Sequence, residues 1–461
     1  MSLHITESEN EITDDIQGDL ARIGSNDLLC SDPEVIRYMS SARANWHRSD
    51  WYDAMSLDVY CDNVISTKHP VTHDQLSLLS FNLPFPKQYA GKENPNLEAD
   101  IDAQVANLVS YIKKKYVFDA TSNPVHLDFG IAAQYFTLDI ITSISYGFPF
   151  GYLAQDTDVH EYIATTEAFV PILVLGTSYP SLHRFLSQPW VRRIVGPLPD
   201  DPKGMGKVMG VARQVVGERY GPNAKDKRDM LGSFVRHGLS QRQAESEVLL
   251  QIIAGSDTTA TAVRTTLLYL LSTPVALARL RREMDEGIAE SRISSPITNA
   301  EAKELPYLQG VIREGLRLRP PFIGLLAKEV PPQGEVIKGK FLPGGTKIGH
   351  SIWLAERSQK VFGTDADSFR PERWTEEKDE KKLRLMDDTV GLCFGHGRWG
   401  CLGKGVALIE LNKVLIELLR VFDFAVVNPT NPWKADNYNL WMINDMWLRV
   451  TYREDVALQK E

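Results

Sequence analysis

The ten residues FGHGRWGCLG, positions 394–403, set one cysteine, Cys401, in a glycine-rich turn close to an arginine, Arg398. Glycine at Gly395, Gly397, Gly400 and Gly403 lets the backbone turn tightly and lets a flat ligand approach the main chain. The residues that follow, VALIELNKVLIELLRVF, repeat apolar positions at helical spacing through Val406, Leu408, Ile409, Leu411, Val414, Leu415 and Leu418. Cys401 therefore stands at or just before a helix start. The partial positive charge of helix-terminal N–H groups favours a thiolate over a thiol there. A thiolate is a strong ligand for iron and other soft-accepting metals. An isolated cysteine next to glycines is more often a buried structural thiol, so the weight falls on what accompanies it.

Three further motifs precede it in order. AGSDTT, positions 254–259, lies within a helical pattern that runs from about 240 to 272, with Ser240 as N-cap and Gln243 as its capping-box partner. Gly255 inside a helix costs about 1 kcal/mol against alanine. Ala254 and Gly255 together remove side-chain bulk where a cofactor could lie on the helix. Asp257 and Thr258 add a carboxyl and a hydroxyl at the same level, and Thr258 is placed to bond back to the Ala254 carbonyl and open the helix locally. EGLR, positions 314–317, puts Glu314 and Arg317 on one side of a helix, and FRPERW, positions 369–374, supplies Arg373 from a proline-bounded loop.

These four motifs, in this order and at these separations, resemble the cytochrome P-450 family, with FGHGRWGCLG similar to its haem-binding signature in the form found in the fungal pisatin-demethylase-like subgroup. The resemblance covers residues 20–461, with 1–19 as a polar extension, and implies one domain of mainly α fold with small β-sheets and a long central helix over the haem. It implies haem b as cofactor with Cys401 as the axial iron ligand, and cofactor contacts from Phe394, Gly395, Arg398, Gly403, Ala254, Gly255, Lys328 and His73. Asp257 and Thr258 would deliver protons to bound dioxygen. Glu314, Arg317 and Arg373 would form a buried ion network that braces the cysteine loop. The implied activity is a monooxygenase that hydroxylates, dealkylates or epoxidises a lipophilic small molecule, in fungal secondary metabolism, with electrons from an NADPH–cytochrome P-450 reductase. The haem-thiolate isomerases and dehydratases, and a non-catalytic haem or ligand binder, are the alternative readings.

The chain departs from the family pattern at three places. Trp399 stands where the signature has an arginine that faces a haem propionate, with Arg398 one step earlier. Lys328 stands where a second propionate-binding arginine is usual. After His73, Ser77 occupies the position four residues on where arginine is expected, Pro84 and Pro86 stop any helix, and the block 77–88 looks foreign to its surroundings.

Composition fits an enzyme without selecting one. The 461 residues are 43% hydrophobic and 24% charged, with a net charge of −9, which disfavours a nucleic-acid partner. The four cysteines, Cys30, Cys61, Cys393 and Cys401, have no zinc-type spacing, as in a reducing compartment. The opening MSLHITESENEITDD is acidic and carries no apolar run of membrane-spanning length. Relatives in the family carry an anchor and sit on the cytoplasmic face of the endoplasmic reticulum, so this chain reads as cytoplasmic, with peripheral membrane contact, and as either truncated or a member without the anchor.

Helical patterns are expected at 96–116, 129–146, 159–175, 207–220, 240–272, 274–291 and 299–318. Strands are expected at 20–23, 26–30, 324–330, 336–338, 347–350, 424–427 and 447–452, and 351–388 reads as a long loop. Apolar segments at 46–55, 169–175, 252–253, 322–326 and 440–443 are candidate pocket linings.

Overall fold

A computed structural model describes residues 19–453 apart from 42, 59–60, 69–72, 74–93, 119–124 and 223. The segment 77–88, including Ser77, therefore lies outside the described residues. Most of the body is helical, organised around one long helix, α2 (Gln241–Ser272), which packs along α1 (Phe129–Tyr146) and against α3 (Pro306–Leu318) and α4 (Lys404–Val421).

The start of α2 is fixed by the expected capping box: the Ser240 hydroxyl accepts from the Gln243 N–H while the Gln243 side chain accepts from the Ser240 N–H. This satisfies two donors that a bare helix start leaves open. Helix α1 begins where Asp128 accepts from the Gly130 and Ile131 N–H groups, and ends where Gly147 takes a left-handed conformation at φ +80°. Nearly all of α1 is buried, which is why its sequence is apolar on every face and shows little amphipathic contrast.

The sheets lie at the edges. The largest has five strands, β1 (Leu20–Arg22), β2 (Asp27–Cys30), β3 (His47–Arg48), β4 (Lys328–Glu329) and β5 (Lys347–His350), in the order β1-β2-β5-β4-β3. Only the β2–β5 pairing is parallel, with Asp27 opposite Lys347 and Cys30 opposite His350. Because β3 and β4 pair with Arg48 opposite Lys328, two basic residues 280 positions apart in sequence become neighbours. A three-stranded sheet joins Leu127–Asp128, Trp447–Tyr452 and Phe422–Val426.

Several expectations are corrected. The expected helix 299–318 is two, Asn299–Lys303 and Pro306–Leu318, since Pro306 opens a helix well but cannot continue one. The expected loop 351–388 holds four short helices, Ile352–Ala355, Gln359–Phe362, Glu372–Thr375 and Glu380–Val390. The expected strand 324–330 is reduced to the two residues of β4. Helices Pro180–Leu186, Pro189–Val195 and Met230–Arg236 were not anticipated; at seven residues each they are too short to display a period.

Candidate active site

Cys401 is enclosed by protein and yet presents free surface, so its thiol lines an internal space. Its own N–H donates to the Phe394 carbonyl at 2.6 Å, which closes the turn. Burial pushes the thiol pKa up, while the N–H groups of Gly403 and Lys404, at the start of α4, and the Lys404 charge pull it down. The helix start thus acts in the expected direction, but burial outweighs it. At Gly395, φ is +69° and a Cβ would come within 2.9 Å of the Trp399 carbonyl oxygen; at Gly397, φ is +59° and a Cβ would overlap the Ser40 carbonyl oxygen. Both glycines are required by the turn and its close seating on the helix Pro33–Ser40.

The brace behind this loop matches expectation. Arg317 donates to both oxygens of Glu314 at 2.8 Å, from Nε and from a terminal nitrogen. The Arg373 Nε lies 3.1 Å from Glu314 Oε1. All three side chains are sealed from solvent, and most of the remaining valences are met: the Trp374 indole and the Arg370 N–H donate to Glu314, and the carbonyls of Glu356, Ala366, Ser368 and Phe362 accept from the two guanidiniums, while the Arg373 Nε faces Glu314 by charge without a hydrogen bond. A buried ion cluster holds only when its spare donors and acceptors are satisfied in this way.

On α2, residues Gln251, Ala254, Gly255 and Thr258 keep partial exposure along a helix whose flanking positions, Ile252, Ser256, Asp257 and Thr259, are buried. Spacing of three and four residues makes this a stripe along one side. Thr258 donates to the Ala254 carbonyl at 2.6 Å as expected, but the helix is unbroken. Gly255 requires a different explanation from the one its motif suggested. A Cβ there would meet Ile141 Cδ1 at 2.8 Å, so its missing side chain makes room for α1. Ala254 and Phe394 both pack on the main core.

Asp257 is buried on the side of α2 facing α1. Gln134 donates to one of its oxygens at 2.8 Å and the Ser256 hydroxyl to the other at 3.3 Å. Burial raises its pKa to about 6, with the Arg264 charge and those two hydrogen bonds opposing. Arg264 in turn donates to the Gln134 amide oxygen at 2.9 Å and to the Gly130 carbonyl. Gln134 and Arg264 thus connect Asp257 to α1, a link that no motif marked.

The basic residues converge on Trp399. The Arg48 guanidinium lies 4.3 Å from the centroid of the Trp399 ring, the His73 ring 4.4 Å and the Lys328 ammonium 5.9 Å. Arg48 donates to the carbonyls of Val64, Ile65 and Thr67 at 2.7, 2.7 and 2.9 Å, and Lys328 to the Ser40 hydroxyl at 2.7 Å. Among the described residues, the charges acting on Lys328 and His73 are all positive: Arg48 on the first, and Arg48, Arg398 and Lys328 on the second. Burial first and those charges second hold the Lys328 pKa well below its usual value and lower His73 to about 3. Basic side chains gathered in a buried place suit an anionic ligand. Arg48 is the residue the sequence reading missed; the signal was a lone arginine amid aromatic residues in WHRSDWY.

These features form one set: a thiol facing an internal space, a turn of bare backbone, a helix stripe opposite, and a buried group of cations. The chain matches the Cytochrome P-450 family profile over residues 60–445. It belongs to the cytochrome P-450 family. At 48% identity over 94% of this chain it is similar to cytochrome P-450 monooxygenase ABA1 of Pyricularia oryzae, covering 84% of that protein. It is 38% identical to cytochrome P-450 monooxygenase aba1 of Botryotinia fuckeliana over 95% of this chain and 85% of the relative. It is also 35% identical to cytochrome P-450 monooxygenase abl1 of Leptosphaeria maculans over 91% and 74%. Family membership makes the chain an oxidoreductase of haem-thiolate type that works with dioxygen and a redox partner. The residues present fit haem: a thiol at a helix start as ligand, and basic side chains around Trp399 for two carboxylates.

The candidate pocket linings are brought together in part, since Ile252 and Ile253 belong to the main core and Trp46 to another cluster. Trp51, Tyr52 and Met55 pack with Ile65, Leu173, Phe322, Leu325 and Leu326 in a separate apolar cluster, and Phe322 bridges to Leu440. An open surface cleft of about 440 Å³ near Asp19, Ser31, Lys338 and Lys360 shares no residue with this site.

Proposed function

We propose that this cytochrome P-450 hydroxylates, dealkylates or epoxidises a lipophilic small molecule of secondary metabolism, with Cys401 as the axial ligand of haem b. The observation that carries the reading is Cys401 itself: a thiol surrounded by protein yet open to an interior space, with its sulfur held by the N–H groups of Gly403 and Lys404. When bound, the haem iron with its thiolate ligand supplies activation of dioxygen and cleavage of its O–O bond. Arg48, His73 and Lys328, which surround Trp399, and Arg398, whose charge acts on His73, would hold the cofactor's carboxylates.

Proton handling falls to α2. With a pKa of about 6, Asp257 is protonated in about a tenth of molecules at neutral pH and fully so in acid. Gln134 and Ser256 fix its carboxyl at rest, and Thr258, one residue on, holds its hydroxyl proton on the Ala254 carbonyl until that bond is exchanged. The apolar cluster around Trp51, Leu173 and Phe322 receives the substrate and excludes water.

Electrons come from an NADPH–cytochrome P-450 reductase. Among the described residues no single helix is long and apolar enough to cross a membrane. Exposed Ile172, Leu175, Leu182, Phe185, Trp190 and Ile194 crowd one stretch of chain, and they support peripheral contact with a membrane at the cytoplasmic face of the endoplasmic reticulum.

The test is to supply purified protein, reductase and NADPH with lipophilic metabolites under isotopically labelled dioxygen. A product heavier by one labelled oxygen is the expected result. Oxygen drawn from water, or rearranged product without NADPH consumption, would reject the monooxygenase reading.

A further inference from the structure

The middle of α2 holds polar groups that the chemistry above does not use. Glu247, one turn before Gln251, accepts from the Val64 N–H at 2.8 Å through one oxygen. Among the described residues its other oxygen has no partner, nor does either end of the Gln251 amide or the hydroxyl of Thr67, and all four atoms are buried. Burial lifts the Glu247 pKa to about 8, opposed by the Val64 bond, so its carboxyl is mostly protonated at neutral pH and can donate as well as accept. Leaving a buried donor or acceptor empty is costly, and native structures rarely do so without a reason.

These groups share one place. Positions 247 and 251 stack on one side of the helix, and 251 continues into the partly exposed stripe of Ala254 and Thr258. Opposite lies the loop 63–67. Glu247 bonds this loop at Val64, Arg48 bonds it at the carbonyls of Val64, Ile65 and Thr67, and Ile65 packs into the apolar cluster of Trp51, Tyr52, Phe322 and Leu325. The apolar cluster therefore meets loop 63–67 through Ile65, and the same loop meets α2 at Glu247, one turn from the buried Gln251 amide.

We propose that Gln251, with Glu247 and Thr67, is the polar anchor of the substrate site and selects lipophilic molecules that carry a hydrogen-bonding oxygen function distant from the oxidised carbon. The anchor rests on the haem-thiolate reading given above. Seven residues at 1.5 Å each put Gln251 about 10 Å along the helix from Thr258, so the oxygen function lies about that far from the carbon attacked. A carbonyl, hydroxyl or carboxylic acid pairs with the amide and the protonated carboxyl. A pure hydrocarbon leaves them empty.

The test uses iron-binding probes, so that it does not depend on knowing the substrate. N-alkylimidazoles with chains of four to ten carbons are compared with the same imidazoles ending in a hydroxyl, binding being read from the absorption change of the haem. A hydroxyl ordinarily weakens binding in an apolar pocket. The expected result is that this penalty reverses, by about tenfold, at the chain lengths that span about 10 Å. The reversal is lost in Gln251→Leu and in the length-matched Gln251→Met, and both variants melt at a higher temperature than the parent because a buried empty amide is gone. A hydroxyl penalty that is equal at every length, or unchanged in both variants, overturns the anchor while leaving the haem-thiolate reading intact. Absence of any imidazole-induced absorption change removes that reading, and the anchor with it.

Discussion

Two buried groups of charge flank the cysteine turn, and they are built on opposite plans. Glu314, Arg317 and Arg373 form a group in which the carboxylate accepts from Arg317, an indole and a backbone N–H and pairs by charge with Arg373, and the arginines' other donors reach carbonyls. Arg48, Lys328 and His73, by contrast, gather around one tryptophan, and the charges acting on Lys328 and His73 among the described residues are positive, while Arg48 also interacts with Tyr52. A group that pairs acid with base carries structure. A group of basic side chains suits an anionic ligand.

The difference predicts opposite responses to substitution. Glu314→Ala leaves two buried guanidiniums without their carboxylate and should destabilise the fold by about 3–5 kcal/mol, read by chemical denaturation of the haem-free protein. A loss under 1 kcal/mol would mean that the network is not the brace. Arg48→Met should cost haem-free stability only about 1–3 kcal/mol, from the loop carbonyls it leaves unpaired, while haem retention falls by about ten- to a hundredfold, measured as transfer of haem to excess apo-globin. If Arg48→Met instead unfolds the haem-free protein and leaves retention unchanged, the two groups are alike and the contrast fails.

Lysine 328 sharpens the same contrast through pH. Its folded pKa lies well below the ordinary 10.5, so between those two values the unfolded chain binds a proton that the folded chain does not. Stability from this group therefore rises with pH across that window and is lost as pH falls through it. In haem-free protein, the gain in stability between pH 7 and pH 9 should be smaller in Lys328→Met than in the parent; equal gains would place Lys328 outside the cation group. The smallest effect is expected at the solvent edge of the balanced group. Asp365, about a third exposed, pairs with Arg373 at 3.1 Å, and Asp365→Asn should cost only about 0.5–1 kcal/mol, with haem retention unchanged.

The two groups also differ in how far the sequence discloses them. The balanced one is written in local motifs: Glu314 and Arg317 are one helical turn apart, and Arg373 lies in a proline-bounded loop. The cation group is assembled by tertiary structure, since Arg48 meets Lys328 only through the pairing of β3 with β4, and His73 stands apart from both in sequence. The same division runs through the fold. Helices long enough to show a period or a capping box, such as 129–146 and 240–272, are legible in the sequence to within a residue or two. Four-residue helices such as Gln359–Phe362 and Glu372–Thr375 offer no period, and the break at Pro306 is hidden by apolar spacing that continues across it. Gly255 was correctly singled out but for the wrong neighbour, because a sequence shows that a side chain is missing without showing what fills the space.

Everything on both sides of the turn depends on one atom, the sulfur of Cys401. The most direct measurement is the absorption spectrum of the purified, haem-loaded protein after reduction and exposure to carbon monoxide, beside that of Cys401→Ala. The account predicts the red-shifted Soret band of a thiolate-bound haem in the parent and its complete loss in the variant; the same band in both proteins would contradict it.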